Sequence, residues 1–202
     1  MIHEDRAGLL VVDVQNDFCA GGALPVPSAS RVVTALNRYL NDAVAQGMTV
    51  YASRDWHPPV TNHFQPYGGP WPAHCVQQTE GARFHAELRL PPSAIVVTKG
   101  EDSAAPGYSA FEGRTPEGKS LLDDLRDRGI GRLYVGGLAT DYCVKASVLD
   151  ALSAGLHVTV LEDAIAGVDP GASVSAVAEM RRKGADMASD PDLLVKHQVR
   201  SD

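Results

Sequence analysis

The feature that most constrains this chain is an alternation. Apolar runs of strand length and helical patterns follow one another along 202 residues. AGLLVVDV is continuous and rich in Val and Leu, as a strand buried on both faces should be. A helix is expected over Ser30–Gln46, with Val33, Leu36, Leu40 and Val44 on one stripe and Gly47 as its stop. MTVYAS reads as a second strand, SAIVVTKG as a third, GRLYVGGL as a fourth and LHVTVLED as a fifth. Leu121, Leu122 and Leu125 mark a short helix ending at Gly129. Thr140 to Ala154 reads as helical, and Ala172 to Lys183 as a last long helix. Such alternation with short connections predicts an α/β fold, a three-layer sandwich with a central, mainly parallel sheet and helices on both faces. The length suits one domain over residues 1–202.

In parallel sheets the ligand crevice lies beyond the carboxyl ends of the strands. Strand one ends at Asp13, strand two runs into Asp55 and His57, strand three ends at Lys99, and strand four leads to Cys143. All fall on one rim. The stretch from about Arg54 to Pro92 is rich in proline and holds both tryptophans. It is too long for a neutral connection and is expected to build the site.

Composition narrows the partners. A net charge of -7 argues against a protein that works by neutralising phosphates on nucleic acid or on an acidic membrane. No stretch approaches the ~20 apolar residues that span a bilayer. The opening MIHEDRAGLLVVDV lacks the basic, apolar and small-residue regions of a secretory signal. Three cysteines at wide spacings make no disulfide framework. The expectation is a reduced, cytoplasmic protein whose cysteines are core, ligand or nucleophile. No patch or heptad pattern indicates an oligomeric state.

Cys143 sits in GGLATDYCV, where the chain turns from the fourth strand into a helix. With Thr140 as the cap, Cys143 lies in the first turn, where free N–H groups and the helix dipole favour a thiolate and bind an oxyanion. A lone cysteine is more often a small core residue. Asp13 and Lys99 taken singly are a loop cap and a solvated strand end. An acid, a cation that modulates it and a thiol at successive strand ends make catalysis the better reading.

Asp55, His57, His63 and His74 offer four potential ligands within a twenty-residue window. One oxygen and three imidazoles suit zinc, iron or manganese, and an extended Asp-x-His puts both side chains on one face. Pro58, Pro59, Pro66, Pro70 and Pro72 stiffen the loops between them. His3, His85, His157 and His197 read as ordinary exposed histidines. Three ligands with a bound water also suit a metal-hydroxide hydrolase, for which the strand-end cysteine is superfluous.

VVDVQNDF, DWHPPVTNHF, WPAHCV, the TKG of Lys99 followed by YSAFEG, and GLATDYCV together resemble the nicotinamidases of the isochorismatase-like cysteine hydrolase superfamily. The resemblance runs from about residue 7 to 190. It implies a catalytic triad of Asp13, Lys99 and Cys143, and an oxyanion hole made by the backbone N–H groups of Ala139 and Cys143. It implies one divalent transition metal, zinc first and iron or manganese as alternatives, on Asp55, His57, His63 and His74 with waters. Phe18, Trp71 and Tyr108 match the aromatic positions around a flat ring, although packing alone also accounts for Tyr108. A cis peptide is implied at Leu138–Ala139. The implied reaction is hydrolysis of nicotinamide, and of pyrazinamide, through a cysteine thioester. Tyr142 departs from the histidine of some relatives, and Cys19 and Cys75 read as packing residues. The alternatives are a superfamily amidase for N-carbamoyl or ureido substrates, which usually lacks the metal set, and a non-catalytic binding protein on this scaffold.

Overall fold

The computed structural model describes residues 3–189; His197 lies outside them, as does the side chain of His3. Six strands form one sheet in the order β3-β2-β1-β4-β5-β6, and each neighbouring pair is parallel. They are β1 (His3–Val12), β2 (Thr49–Asp55), β3 (Ile95–Lys99), β4 (Ile130–Leu138), β5 (His157–Ala166) and β6 (Asp186–Ala188). The helices are α1 (Ala29–Ala45), α2 (Leu121–Asp127), α3 (Lys145–Ser153) and α4 (Pro170–Arg182). None is long and apolar enough to cross a membrane.

Strand alternation divides the core into two layers. Leu9 and Val11 of β1 pack with Val32, Val33, Leu36 and Leu40 of α1. Leu10 and Val12 face the other way, into a cluster with Leu121, Leu125, Val148 and Met180 from α2, α3 and α4. Each fully buried Leu or Val contributes roughly 1.5–3 kcal/mol relative to exposure, so the two layers hold the sheet between them.

Several elements differ in detail from the sequence expectation. Val44 is 52% exposed, because Ala43 takes the inward position at the end of α1. α4 starts earlier than Ala172: the Asp169 side chain accepts from the Ala172 amide at 2.7 Å, and Pro170 occupies the first turn. β6 was not expected from the sequence. Its three residues gain strand geometry only by pairing with β5.

The chain leaves β1 toward β2 on one side and β4 lies on the other. The carboxyl ends of β1 and β4 therefore flank the topological switch point, where open α/β sheets bind ligands. Asp13 follows one of these strands and Ala139 the other.

Candidate active site

β2 and β3 pair with Asp55 opposite Lys99, so their side chains emerge from the same face. Ser53 shares that face two residues earlier. Asp13 reaches it differently: a left-handed φ of +48° takes the residue out of the strand's alternation, at about 1–3 kcal/mol for a non-glycine residue. Its carboxylate lies 2.8 Å from Lys99 Nζ and accepts from Ser53 Oγ at 2.7 Å. Lys99 also donates to the Asp55 carboxylate, to the Gly107 carbonyl at 3.0 Å and toward Cys143 Sγ at 3.5 Å. The Lys99 and Asp13 side chains are fully buried.

One cation thus faces two carboxylates and a thiol without solvent. Burial alone would depress Lys99, but Asp13 and Asp55 outweigh it and hold the ammonium well above its usual range. Burial drives the Asp13 carboxyl upward against the pull of Lys99. Asp55 goes the other way: Lys99 and His57 overcome its burial and hold it well below the carboxylate range. Burial, with Asp13 and Asp55 adding to it, pushes the Cys143 thiol well up despite Lys99. Burial and the two carboxylates thus oppose the pull of Lys99 and of the helix position toward a thiolate.

The turn carrying Cys143 also differs. Thr140–Val144 is one π-helical turn; its N-cap is Ala139, and no side chain caps it. The Ala139 carbonyl accepts from Tyr142 at 3.0 Å and Val144 at 3.1 Å. An α-turn would have committed the Cys143 amide to that carbonyl; the wider turn bypasses it. The preceding Leu138–Ala139 peptide is cis.

His57, His63 and His74 converge, each offering a nitrogen within 4.8 Å of the others. The connection holding them is stitched by isolated bridges, His57 to Val76 and Phe64 to Trp71. His57 Nδ1 lies 3.0 Å from the Gly100 carbonyl, and His74 Nδ1 lies 2.8 Å from that of Pro72. Donation to those carbonyls leaves each Nε2 with a free lone pair, and His57 Nε2 has no hydrogen-bond partner although buried. Burial and neighbouring histidines hold His63 down at about 4, and burial depresses His74. Clustered imidazoles, with the outer nitrogens of His57 and His74 fixed by carbonyls, fit a divalent transition metal. Gly100 makes this packing possible: a Cβ there would sit 2.7 Å from the His57 ring, and its φ is +73°.

Asp55 stands between the two groups. The three histidines form one cluster; Asp55 falls in a second with Asp13 and Cys143. One carboxylate oxygen is engaged by Lys99, and the other faces His57 Nε2 at 3.7 Å.

A cavity opens onto both groups, lined among others by Phe18, His63, Trp71, His74, Tyr108, Tyr142 and Cys143. Phe18 packs on His74 with centroids 5.4 Å apart, and Tyr108 on His63 at 5.5 Å. Trp71 Nε1 donates to the Tyr108 hydroxyl at 3.0 Å, and Tyr142 meets the Trp71 ring edge-on at 4.9 Å. A larger groove beside α4, lined by Arg31, Ile165, Val174 and Val177 among others, has no cysteine or histidine in its lining. His85 is half-buried and accepts from the Glu87 amide; His157 is exposed at the start of β5. Cys19 and Cys75 are buried and unbridged, and burial raises the first to about 11 and the second well up.

Four supporting residues escaped the sequence reading. Ser53 anchors Asp13. Gln15 bonds the backbone of Asp55. Asp17 accepts from the Cys75 amide at 2.7 Å and so holds the chain beside His74. Asp141 is buried and accepts from the Val168 and Asp169 amides at 3.0 and 2.9 Å, tying the π-turn to the start of α4. The QND run after Asp13 was the one available signal, since three adjacent polar residues entering a buried turn need partners.

Fold and site together define an α/β protein with a buried thiol–lysine–carboxylate cluster beside a histidine group. Residues 7–192 match the isochorismatase domain, and the chain belongs to that family. It is 45% identical over 197 residues to the nicotinamidase of Escherichia coli strain K12, covering 89% of this chain and 92% of the other. It is 41% identical to the nicotinamidase/pyrazinamidase of Mycobacterium tuberculosis, covering 89% and 96%. The crystal structure of Pyrococcus horikoshii pyrazinamidase in complex with zinc superposes with a TM-score of 0.86 at 40% identity, covering 92% of this chain and 99% of that one.

Proposed function

We propose that this chain is a nicotinamidase, hydrolysing nicotinamide to nicotinate and ammonia, and accepting pyrazinamide, in the salvage of pyridine nucleotides. The observation that carries the reading is a cavity lined by Cys143, His63 and His74 together, with the thiol 3.5 Å from a buried lysine and the two imidazoles clustered with that of His57. Relatives named nicotinamidase and nicotinamidase/pyrazinamidase support it.

Cys143 is the nucleophile. Asp13 takes the thiol proton as sulfur attacks the carboxamide carbon, and its carboxyl, raised by burial against the pull of Lys99, suits a group that accepts and returns a proton. Backbone N–H groups of Ala139 and Cys143 hold the oxyanion. Asp13 passes its proton to the departing nitrogen, ammonia leaves, and a thioester remains on Cys143. A water deprotonated by Asp13 hydrolyses that thioester, and the returning proton restores the thiol. Lys99 stays charged throughout and offsets the negative charge developing on sulfur and oxygen. Phe18, Trp71 and Tyr108 enclose the ring.

His57, His63 and His74, with Asp55 between them and Lys99, would hold a divalent metal, which supplies Lewis acidity toward the ring nitrogen. Zinc is the preferred ion, since an imidazole-rich set suits it and a relative was crystallised with it; iron and manganese are the alternatives. Three unbridged cysteines, one of them the nucleophile, suit a reducing compartment such as the cytoplasm. The test is ammonia release from nicotinamide by metal-replete protein, run beside N-carbamoyl and ureido substrates. Turnover of nicotinamide and pyrazinamide alone is expected. Turnover of only the carbamoyl or ureido compounds would reassign the chain within its family.

A further inference from the structure

Gln15 takes no part in the chemistry above, yet its side chain is fully buried and engaged at both ends. Nε2 donates to the carbonyls of Asp55 at 2.8 Å and Ala82 at 2.9 Å. Oε1 accepts from the Asp55 amide at 2.8 Å. One carboxamide therefore grips the N–H and the C=O of the same residue, as a neighbouring strand does in a ladder.

The grip falls where the sheet stops supplying one. The β1–β2 ladder ends at Val11 opposite Ala52, with one further bond from the Asp13 amide to the Ser53 carbonyl at 3.2 Å. The left-handed turn at Asp13 then carries β1 away. Asp55 is the last residue of β2, and the Gln15 side chain stands in for the strand that has left. Asp55 is also where orientation matters most, with one oxygen on Lys99 and the other 3.7 Å from His57 Nε2. A modest rotation of its backbone would exchange those two roles.

We propose that Gln15 is a positioning residue for Asp55, holding its backbone so that one carboxylate oxygen stays on Lys99 and the other stays directed at the histidine group. This rests on the reading of Asp55 as a metal ligand. The bond to Ala82 adds a second anchor, since residues 14–17 lie along 81–85 through the Asn16–Arg83, Asp17–Gly81 and His85–Val14 backbone bonds.

The test is titration of metal-stripped wild type and Gln15→Met with cobalt(II) alone, following the visible absorption spectrum and the dissociation constant. Methionine keeps the length and removes every hydrogen bond. Expected is a cobalt affinity lower by about ten- to a hundredfold, the range for partners that orient a metal ligand, with an altered cobalt spectrum. For nicotinamide, kcat should fall while KM stays within about threefold. Gln15→Asn, which draws the amide back by one methylene, should shift affinity and spectrum in the same direction by less, and it decides the matter where Gln15→Met fails to fold. Tyr51→Phe, four residues back along β2 from Asp55 on the same face of the sheet, removes a buried hydrogen bond to Asp124 and calibrates a purely structural loss: a lower melting temperature with an unchanged spectrum. The proposal is overturned where the folded Gln15 variant binds cobalt like wild type with the same spectrum, or where wild type binds no cobalt. Neither metal readout needs turnover. A failure of the amidase reading therefore shows separately, as wild type that binds cobalt and releases no ammonia.

Discussion

Two buried carboxylate–cation groups lie on the same side of the sheet. Asp124 in α2 accepts from the Tyr51 hydroxyl at 2.7 Å and from Arg128 Nε at 2.6 Å, and the Arg128 side chain is 45% exposed. Charge and hydrogen bonds balance there, and the cation reaches water. Burial opposes ionisation of Asp124, but Arg128 and Tyr51 prevail and hold it below the usual carboxyl range. At the carboxyl rim, one fully buried ammonium serves Asp13 and Asp55 together, and the Cys143 sulfur lies beside it at 3.5 Å. The first arrangement is a finished structural joint. The second has one cation too few to balance even its two carboxylates, and a group with a displaced proton equilibrium is what acid–base chemistry requires. Incomplete balance, rather than burial or ion pairing, separates the site from the scaffold.

Breaking the unbalanced cluster should have the largest effect. Lys99→Met leaves two buried carboxylates with no cation, and should lower the unfolding free energy by about 3–5 kcal/mol with loss of amidase activity. The urea midpoint measures the first, and an unchanged midpoint would deny that Lys99 organises the cluster. Metal removal comes next. An ion at a hundred times its dissociation constant stabilises the fold by about 2.7 kcal/mol, so chelation should lower the melting temperature by roughly 5–10 °C, and zinc should restore it. In the balanced joint, Tyr51→Phe should cost about 1 kcal/mol and leave kcat/KM within about twofold of wild type.

Acidification sharpens the contrast further. Asp124 is held low in the folded state, so its contribution to stability is present above the ordinary carboxyl value and is lost as pH falls through its lower folded value. Asp124→Asn should remove that part of the acid dependence of the urea midpoint as pH falls below the ordinary carboxyl value. An unaltered slope would mean that the joint carries no proton linkage.

The comparison also shows which parts were legible in the sequence. Asp13, Asp55, Lys99 and Cys143 were readable because a parallel sheet delivers its strand ends to one rim, and apolar runs mark where those ends fall. The expected histidines His57, His63 and His74 do meet in one cluster. Asp55 was expected beside them, and its sharing with Lys99 was not legible, because it depends on the β2–β3 register. Gln15, Ser53 and Asp141 stayed hidden for a related reason. Gln15 and Asp141 bond backbone groups 27 to 67 residues away, Ser53 a side chain 40 away, and no periodicity reports such partners. The cap expected of Thr140 gave way to a π-turn, a choice made by the backbone at the end of β4. Val44 was misplaced because a stripe drawn at helical spacing does not say where a helix meets the end of its sheet.

The central claim is that the buried thiol performs the reaction. Its most direct test is ammonia release from nicotinamide by Cys143→Ala, loaded with metal and verified as folded by its melting temperature. A loss of at least about a thousandfold against wild type is expected, with metal content unchanged. Activity within about tenfold of wild type would contradict it, and would assign the chemistry to the histidine group and its metal instead.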